Sequence, residues 1–317
     1  MRLAARRSPS PNGGGFSAAP ARLVCRAAAV PLENPTASPH PYKSELMETS
    51  SSPTPAQGEI TGAAPLYAKP EPLNPELHGK LGLKNSPKPF SFARSQHFVP
   101  ILAPEMPAAG CSYPIIFAGA EYSPIAVMGL NPGENVFFND ADEIRPDVYL
   151  PAYMRRYPFT AAKDESGQRM VICIDRGASL ISDQYDVAFF DGKELTQYTK
   201  DCIQFCENFE ADRQRSEQFV ARLRELDLFE HREVAYTPPA QPGAEAPKPQ
   251  IVAGFFAVTE EKLNALSPEV LVEFRDKGYL PAIYAHMTSQ MHWDKLIAST
   301  LAKRMAEAEA NKGKKPN

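Results

Sequence analysis

Two adjacent arginines are the clearest candidates for a binding site in this sequence. Arg155 and Arg156 precede Tyr157 in a short segment rich in arginine and tyrosine. A guanidinium group presents several N–H donors in one plane, and these match the oxygens of a carboxylate or phosphate. The pattern therefore predicts a site for a small anionic ligand. The alternative is a structural pair, with one arginine exposed and the other bonded to an acid such as Asp147 or Asp175.

Five other polar residues complete the candidate site for a ligand or partner. Asn131, Glu134 and Asn135 lie in an N-P-G-E-N segment, which has the composition of a tight turn rather than of a phosphate-binding loop. His97 lies in a predicted N-terminal strand, and His286 lies beside an apolar stripe of the last helix. The structural alternative for His286 is a helix-packing histidine with a backbone partner. If these five residues converge with the arginines and the tyrosine, they form one His/Asn/Glu/Arg cleft.

No motif in the sequence predicts a catalytic residue, a metal site or a cofactor. The chain contains no G-x-S-x-G, no G-x-x-x-x-G-K-[ST], no H-E-x-x-H and no paired Cys/His spacing of the zinc type. Cys202 and Cys206 fall on an aromatic helix stripe and are interpreted as small core residues. Asp140, Asp142 and Glu143 lack the glycine and the distant glutamate of a calcium loop. We therefore predict no metal and no cofactor, and an enzyme is less well supported than a binding protein.

Composition limits the class of protein and its compartment. The 317 residues carry a net charge of −4, which argues against a nucleic-acid partner. Five cysteines at irregular spacing do not form a disulfide framework, and this favours a reducing compartment. No apolar run approaches the roughly 18 residues of a membrane span. The prediction is a soluble cytoplasmic protein, with a location peripheral to the cell envelope as the alternative.

The first 89 residues are predicted to be a disordered, proline-rich, basic tail. They hold 15 of the 32 prolines and few large apolar residues, so they bury too little surface to offset the loss of chain entropy. Residues 1–46 carry six Arg or Lys residues against two Glu residues. Arg26 and Pro31 interrupt the apolar stretch that an export signal requires, and Met47 is an alternative start to Met1.

Residues 90–310 are predicted to form a single α+β domain. Strand patterns come first and helical periodicity comes later, so we expect a mainly antiparallel sheet from the N-terminal half packed with C-terminal helices. The proline-rich loop 238–250 is expected to be mobile, and residues 311–317 are expected to fray. The predicted strands include 113–117, 124–130, 170–175, 232–236 and 251–258. The predicted helices include one around 195–209, a second around 219–226, and others that begin near 260, 268 and 281.

An ordered set of short motifs resembles one known family, from about residue 90 to about residue 301. The motifs are F-A and Q-H-F-V-P within 92–100, Y-P-I at 113–115, G-L and G-E-N within 129–135, Y-L-P-A at 149–152, R-R-Y-P-F at 155–159, C-I-D at 173–175, E-K-L-N at 261–264, and G-Y-L with I-Y-A-H within 278–286. In this order they resemble the SapC-like family, which is named for a bacterial surface-layer (S-layer) associated protein. A peptide-transporter permease shares that name, but it spans the membrane many times and the present chain does not resemble it.

The resemblance implies a bacterial accessory protein that is associated with surface-layer or cell-envelope processes. Such a protein acts by binding a protein partner of the envelope, secretion or associated-enzyme type, and this predicts an exposed apolar patch. The alternative is a small-ligand protein, for an anion or a peptide, or an uncharacterised enzyme that uses the His/Asn/Glu/Arg cleft. That alternative predicts convergence of the candidate residues and a strongly shifted pKa among them.

Overall fold

A computed structural model describes residues 66–163, 170–237 and 248–312 of the chain. Within these residues the protein has the predicted α+β class, because its sheets are antiparallel, most strands lie in the N-terminal half and the helices concentrate towards the C-terminus. The predictions made for residues 1–65, for 238–247 of the proline-rich loop and for residues 313–317 lie outside the described residues.

The strands of the described residues are, in chain order, β1 Pro70–Pro72, β2 Gly82–Leu83, β3 Phe98–Pro100, β4 Ile115–Ala118, β5 Ser123–Val127, β6 Phe159–Lys163, β7 Met170–Asp175, β8 Ile181–Ser182, β9 Val187–Ala188, β10 Phe190–Asp191, β11 Glu194–Leu195, β12 Phe229–Tyr236 and β13 Gln250–Val258. The helices are α1 Pro75–His78, α2 Met106–Ala109, α3 Ala152–Arg155, α4 Gln197–Glu225, α5 Glu260–Asn264, α6 Pro268–Asp276, α7 Tyr279–Ser289 and α8 His292–Lys312. Single 3-10 turns occur at Ser91–Ala93 and Ala103–Glu105.

A five-stranded antiparallel sheet forms the centre of the fold, with the strand order β12-β13-β4-β5-β3. The β4–β5 hairpin pairs Ile116 with Ile125, and the later β12–β13 hairpin pairs Phe229 with Val258. Strands β4 and β5 bury side chains at consecutive positions, so both faces of the sheet are covered by protein. The main hydrophobic core therefore includes residues of α2, α4, α7 and α8 as well as of the sheet.

A smaller apolar cluster lies beside this core, between two three-stranded sheets and the first half of α4. The sheets have the orders β1-β7-β6 and β8-β2-β9. The cluster contains Phe159 of β6, Ile174 of β7 and Phe189, together with Cys202 and Cys206 of α4. Both cysteines are buried, as predicted for small core residues. Because α4 continues from this cluster into the main core through Phe209 and Phe219, the two clusters share one helix.

The fold begins well before Phe90, so that boundary of the predicted disordered tail is wrong. Residues 66–89 contain β1, α1 and β2, and they bury His78 and Leu83. The tail was predicted from its proline content, but Pro75 and the two prolines of β1 occupy positions that tolerate proline. Pro75 lies at the first turn of α1, and β1 is an edge strand, where a missing N–H donor is least costly.

Helix α4 is a single helix of 29 residues, although the sequence predicted two. The polar stretch between its two apolar segments contains no glycine or proline. Ion pairs three and four residues apart stabilise this stretch, from Arg213 to Glu210 and Glu217 and from Arg215 to Asp212. The predicted final helix, in contrast, is two helices, because the chain turns between α7 and α8.

We predict that Gly129→Ala destabilises the protein much more than Gly254→Ala. A Cβ atom on Gly129 would lie 2.0 Å from the carbonyl oxygen of Glu134, which is backbone and cannot move independently. A Cβ atom on Gly254 would meet only the His231 ring, at 3.4 Å. Urea unfolding should show a loss of at least about 2 kcal/mol for Gly129→Ala and a change of less than about 1 kcal/mol for Gly254→Ala. Equal effects would show that the close approach at Gly129 is not a constraint.

Candidate functional site

A tight turn holds Asn131 and Glu134 together at the surface. The amide of Asn131 donates to Glu134 Oε2 at 2.9 Å, and Gly133 adopts a φ of 85° that closes the turn. Arg304 of α8 binds both carboxylate oxygens of Glu134, at 2.9 and 3.0 Å. Burial opposes ionisation of Glu134, but the hydrogen bonds from Arg304 and Asn131 outweigh it and lower the pKa of the carboxyl. The predicted turn is confirmed, and α8 is fastened to it.

Asn135 and His97 lie behind this turn. Asn135 is fully buried; its Oδ1 accepts the N–H of Phe137 at 3.0 Å, and its amide donates to the carbonyl of Ala93 at 3.2 Å. His97 is half-buried, and burial lowers the pKa of its ring, although the nearby Glu134 carboxylate opposes this shift. The structure therefore brings His97, Glu134 and Asn135 to one region, where Asn135 is part of the scaffold.

The two arginines pack against helix α4. The Arg155 Nε donates to the carbonyl of Leu150 at 3.0 Å, and its guanidinium lies 5.2 Å from the ring centre of Phe205. Arg156 is buried, with its guanidinium 4.0 Å from the ring centre of Phe209 and 3.4 Å from Glu210. Aromatic faces attract such cations. The side chains of both arginines are thus engaged within the chain.

The sequence analysis named Asp147 and Asp175 as possible partners of Arg155 or Arg156, and this pairing is wrong. Both acids hydrogen-bond to other groups. Asp147 accepts from Arg145 at 3.0 Å. Asp175 is fully buried and accepts the backbone N–H groups of Ala68 and Lys69. Sequence periodicity does not reveal the partners that the two arginines have in the structure, because α3 and α4 are brought together only by the fold.

Tyr157 belongs to an aromatic cluster next to Asp175. Its ring lies 4.2 Å from that of Phe92, centre to centre, and 5.5 Å from that of Tyr67. Burial first, and then the charge and hydrogen bond of Asp175, raise the pKa of Tyr157 to about 12. The hydroxyl therefore stays protonated at neutral pH and donates to the carboxylate.

His286 of α7 bridges two strands of the central sheet. Val258 N–H donates to its Nε2 at 3.1 Å, so the ring proton must lie on Nδ1, which faces the carbonyl of Ile115 at 2.9 Å. Phe117 and Phe256 are the opposed pair that joins β4 to β13. Two residues further along the same register, Ile115 would lie opposite Val258, and the imidazole takes the place of the direct bond between them. This confirms the structural alternative, a packing histidine with backbone partners.

Burial fixes His286 in its neutral form. The side chain is fully buried, and desolvation lowers its pKa to about 4, against the opposing effect of the bond to Ile115. A proton on Nε2 would also face the Val258 N–H. The contacts of His286 are with β4, β13 and Gln290, whereas the other candidate residues lie around the 131–135 turn and α3.

One buried acid was missed by the sequence analysis. Glu105 accepts hydrogen bonds from the N–H groups of Leu102 and Ala152 at 2.9 and 2.8 Å, and from the Tyr149 hydroxyl at 2.9 Å. Burial raises its pKa, although these bonds and the nearby Arg155 oppose the shift. Glu105 thereby fixes the start of α3, which ends at Arg155 and is followed directly by Arg156. Nothing in the local sequence distinguishes it from a surface glutamate.

The candidate residues do not form one cluster. The candidate residues divide among the 131–135 turn, the α3–α4 contact and the sheet, and most are engaged with partners in the chain. Among residues 66–163, 170–237 and 248–312, no three His, Cys, Asp or Glu side chains lie close enough to hold a metal ion. In the same ranges no helix has both the length and the apolar character needed to cross a membrane.

The outer face of α7 is apolar. Leu280, Tyr284, Met287 and Met291 follow one another at intervals of four, three and four residues, which places them on one side of the helix and of the turn that ends it. Tyr284 is 52% exposed and Met291 is 74% exposed. We call these four residues the α7 face. The whole segment 279–291 contains no Asp, Glu, Lys or Arg.

These features define an α+β protein in which the exposed side of α7 is uncharged. The model of the SapC family matches residues 73–296, which is most of the described chain. The chain therefore belongs to the SapC family, as the sequence motifs indicated. The match begins 17 residues before Phe90, in agreement with the earlier start of the fold. Searches of curated proteins and of solved structures found no match.

We predict that His286 makes the protein less stable in acid. Its folded pKa of about 4 lies below its ordinary value of 6.5, so the folded state binds fewer protons, and stability is lost as the pH falls from 6.5 towards 4. Between pH 7 and pH 5 the expected loss is about 2 kcal/mol. Chemical unfolding of wild type and His286→Asn at both pH values measures it.

In that experiment, His286→Asn should lack about 2 kcal/mol of the pH-dependent loss seen in wild type. The matched control is His231→Asn, the same change at an exposed position of β12. It should keep the wild-type dependence. If His286→Asn also keeps it, the buried imidazole is not the group that titrates.

We predict that Glu105→Ala destabilises the protein by at least about 2 kcal/mol, because it leaves two buried N–H donors and a tyrosine hydroxyl without an acceptor. The matched control is Glu207→Ala, at an exposed position of α4, which should change stability by less than about 0.5 kcal/mol. Thermal melting and urea unfolding of both variants provide the comparison. Equal stability of the two variants would contradict a structural role for Glu105.

Proposed function

We propose that the protein is an accessory protein of bacterial surface-layer or cell-envelope processes and that it acts by binding a protein partner through the α7 face. The process is proposed from the name of the SapC family. The contact surface is proposed from one observation, the exposed and uncharged outer face of a helix that is packed on the core. The four described cysteines are free thiols, which supports a cytoplasmic location as part of this proposal.

The distribution of polarity on α7 carries the proposal. A surface helix normally buries its apolar side and turns charged residues outward. In α7 the polar residues His286 and Ser289 are buried, while Tyr284 and Met291 are exposed. The inward polar residues are accounted for by their bonds to the sheet. Leu280 and Met287 are half-buried against the core, whereas Tyr284 and Met291 on the same side are mainly exposed. Large exposed apolar side chains on one helix face are typical of an interaction site.

The chemistry of the α7 face suits a protein partner. Tyrosine and methionine are enriched in protein interfaces, and methionine adapts its shape to the surface that covers it. The rest of the molecule is not generally apolar. The edge strand β12, for example, exposes Glu230, Arg232 and Glu233, which discourages unplanned strand pairing. The α7 face is therefore a local feature.

The alternative, a small-ligand or enzyme cleft built from the candidate polar residues, has less support from the geometry. Glu134 is bonded to Arg304, and the guanidinium groups of Arg155 and Arg156 lie against aromatic rings of α4. An anion at the arginines would have to displace these contacts. A partner protein at α7 displaces only water.

We predict that Tyr284→Lys combined with Met291→Lys abolishes partner capture. Leu77→Lys combined with Met305→Lys is the matched control, because Leu77 and Met305 are 68% and 66% exposed and lie outside the α7 face. Tagged full-length proteins, checked by thermal melting, are used to capture proteins from the envelope fraction of the host, followed by mass spectrometry.

Wild type and the control pair should retain the same envelope or secretion protein, and the α7 pair should lose it at least tenfold. The proposal fails if the α7 pair retains that protein as well as wild type does. It also fails if capture depends equally on both pairs of residues.

A further inference from the structure

A short segment at the start of the described chain lies across the surface next to Tyr157 and Asp175. We call residues 66–72 the strap. It runs antiparallel to β7, with Pro70 opposite Asp175 and Pro72 opposite Cys173. The ring of Tyr67 contacts those of Tyr153 and Tyr157, at centre-to-centre distances of 5.8 and 5.5 Å. The Tyr67 hydroxyl donates to the carbonyl of Phe159 at 2.8 Å.

The surface under the strap recognises backbone more than side chains. The Asp175 carboxylate accepts the N–H of Ala68 at 3.0 Å and the N–H of Lys69 at 2.7 Å. The N–H of Arg176 donates to the carbonyl of Lys69 at 2.9 Å. Ala68, Lys69 and Pro70 are exposed, so their side chains contribute little to the contact. An anchored aromatic ring together with main-chain bonds to a strand edge is the pattern by which proteins bind extended peptides.

Arg156 completes this surface. Its guanidinium lies 5.5 Å from the ring centre of Tyr67 and hydrogen-bonds with the tyrosine. Within the described residues, its Nε is buried and has no hydrogen-bond partner. We call the set formed by Tyr153, Arg156, Tyr157, the Phe159 carbonyl and Asp175 the strap site. It offers a tyrosine both an aromatic contact and hydrogen bonds.

Two observations indicate that the strap is not part of the family fold to which its site belongs. The match to the SapC family begins at residue 73, directly after the strap, whereas all residues of the strap site lie inside the match. Leu66, at the start of the strap, has a φ of 92°, a conformation that is strained for a residue with a Cβ. The site is therefore part of the family fold, while the strap is an attached segment under strain.

We infer that the strap site is a peptide-binding site and that the strap occupies it as a built-in ligand. The ligand is an extended segment of another protein with a tyrosine, followed by two residues that keep their N–H groups for Asp175. Proline is excluded from those two positions and accepted at the third, as Pro70 shows. This inference does not depend on the α7 face, which lies on a different helix.

The test uses the full chain and a fluorescent peptide with the strap sequence, L-Y-A-K-P-E-P. Tyr67→Ala removes the ring that anchors the strap, and Lys69→Pro removes one N–H that binds Asp175 while it leaves the ring. Two chain variants are used so that a folding defect in one does not decide the result. Fluorescence anisotropy should show at least tenfold tighter peptide binding by either folded variant than by wild type. Peptides with Tyr67→Ala or Lys69→Pro should bind at least tenfold more weakly than the strap peptide.

A disulfide lock shows where the peptide binds. A Cβ atom on Gly177 would lie 3.0 Å from the Cβ of Ala68, so a shift of the strap by about 0.5 Å brings the two atoms to the separation that a disulfide spans. Ala68→Cys with Gly177→Cys is therefore used to fasten the strap when oxidised. The exposed Cys111 is changed to Ser in this chain. In the Tyr67→Ala background the reduced protein should bind the peptide, and the oxidised protein should bind it at least tenfold more weakly.

Three results would overturn the inference. The first is a folded Tyr67→Ala or Lys69→Pro chain that does not bind the strap peptide better than wild type does. The second is equal binding in the oxidised and reduced states, which would place the peptide elsewhere. The third is equal binding of the altered peptides. None of these results bears on the α7 face, which is tested by its own pair of variants.

Discussion

The continuity of the central sheet depends on one buried imidazole. Strands β4 and β13 are joined by a single opposed pair, Phe117 and Phe256. Two residues further along, the ring of His286 lies between the Ile115 carbonyl and the Val258 N–H, and it bonds to both. Strand β4 precedes α4 in the sequence and β13 follows it, and the two are thus connected through a residue of α7. Unpaired, these two buried backbone groups would each cost free energy comparable to that of a lost hydrogen bond.

The same constraint explains the unusual polarity of α7. The N–H of Ile115 donates to Ser289, and its carbonyl receives a second bond from Gln290 at 2.7 Å. His286 and Ser289 of α7 and the following Gln290 must therefore face inward, because they take the place of a neighbouring strand at the end of β4. Nothing in this role requires an apolar outer face. The packing role of α7 therefore does not explain why the exposed Tyr284 and Met291 are apolar. For this reason we propose that an external partner covers them.

Local patterns predicted part of this structure well. The strand 170–175 and the start of α6 agree with prediction, because a short apolar run and a serine cap are encoded by neighbouring residues. The family was also evident from the order of its motifs. In contrast, the two-helix prediction for α4 failed, since a polar stretch ends a helix only if its residues lack helix propensity and ion-pair partners. The boundary at Phe90 failed because proline content alone does not show where each proline lies.

The candidate site was harder to predict for a related reason. Residue type identified Arg155, Arg156 and Tyr157 as a group, and the structure does place them beside one another. Their partners come from distant segments, namely α4 for the arginines and β7 with Phe92 for the tyrosine. Glu105 and Asp175 stabilise the fold by accepting hydrogen bonds from backbone N–H groups of distant segments. Their role can be recognised only when those donors are known. A single sequence contains no record of these contacts.

The strap gives the protein a way to limit access to its own surface. A segment tethered next to its site acts at an effective concentration on the order of millimolar, so a separate peptide must overcome this competition. The strain at Leu66 and the exposed side chains of Ala68 and Lys69, which add little to the contact, weaken the internal ligand. The affinity of the strap for its own site decides whether a separate peptide can enter. A strap that bound too tightly would close the site permanently, and one that bound too weakly would leave the edge of β7 open. An edge strand of this kind must be covered in the free protein, and a weak internal ligand covers it while it still permits exchange.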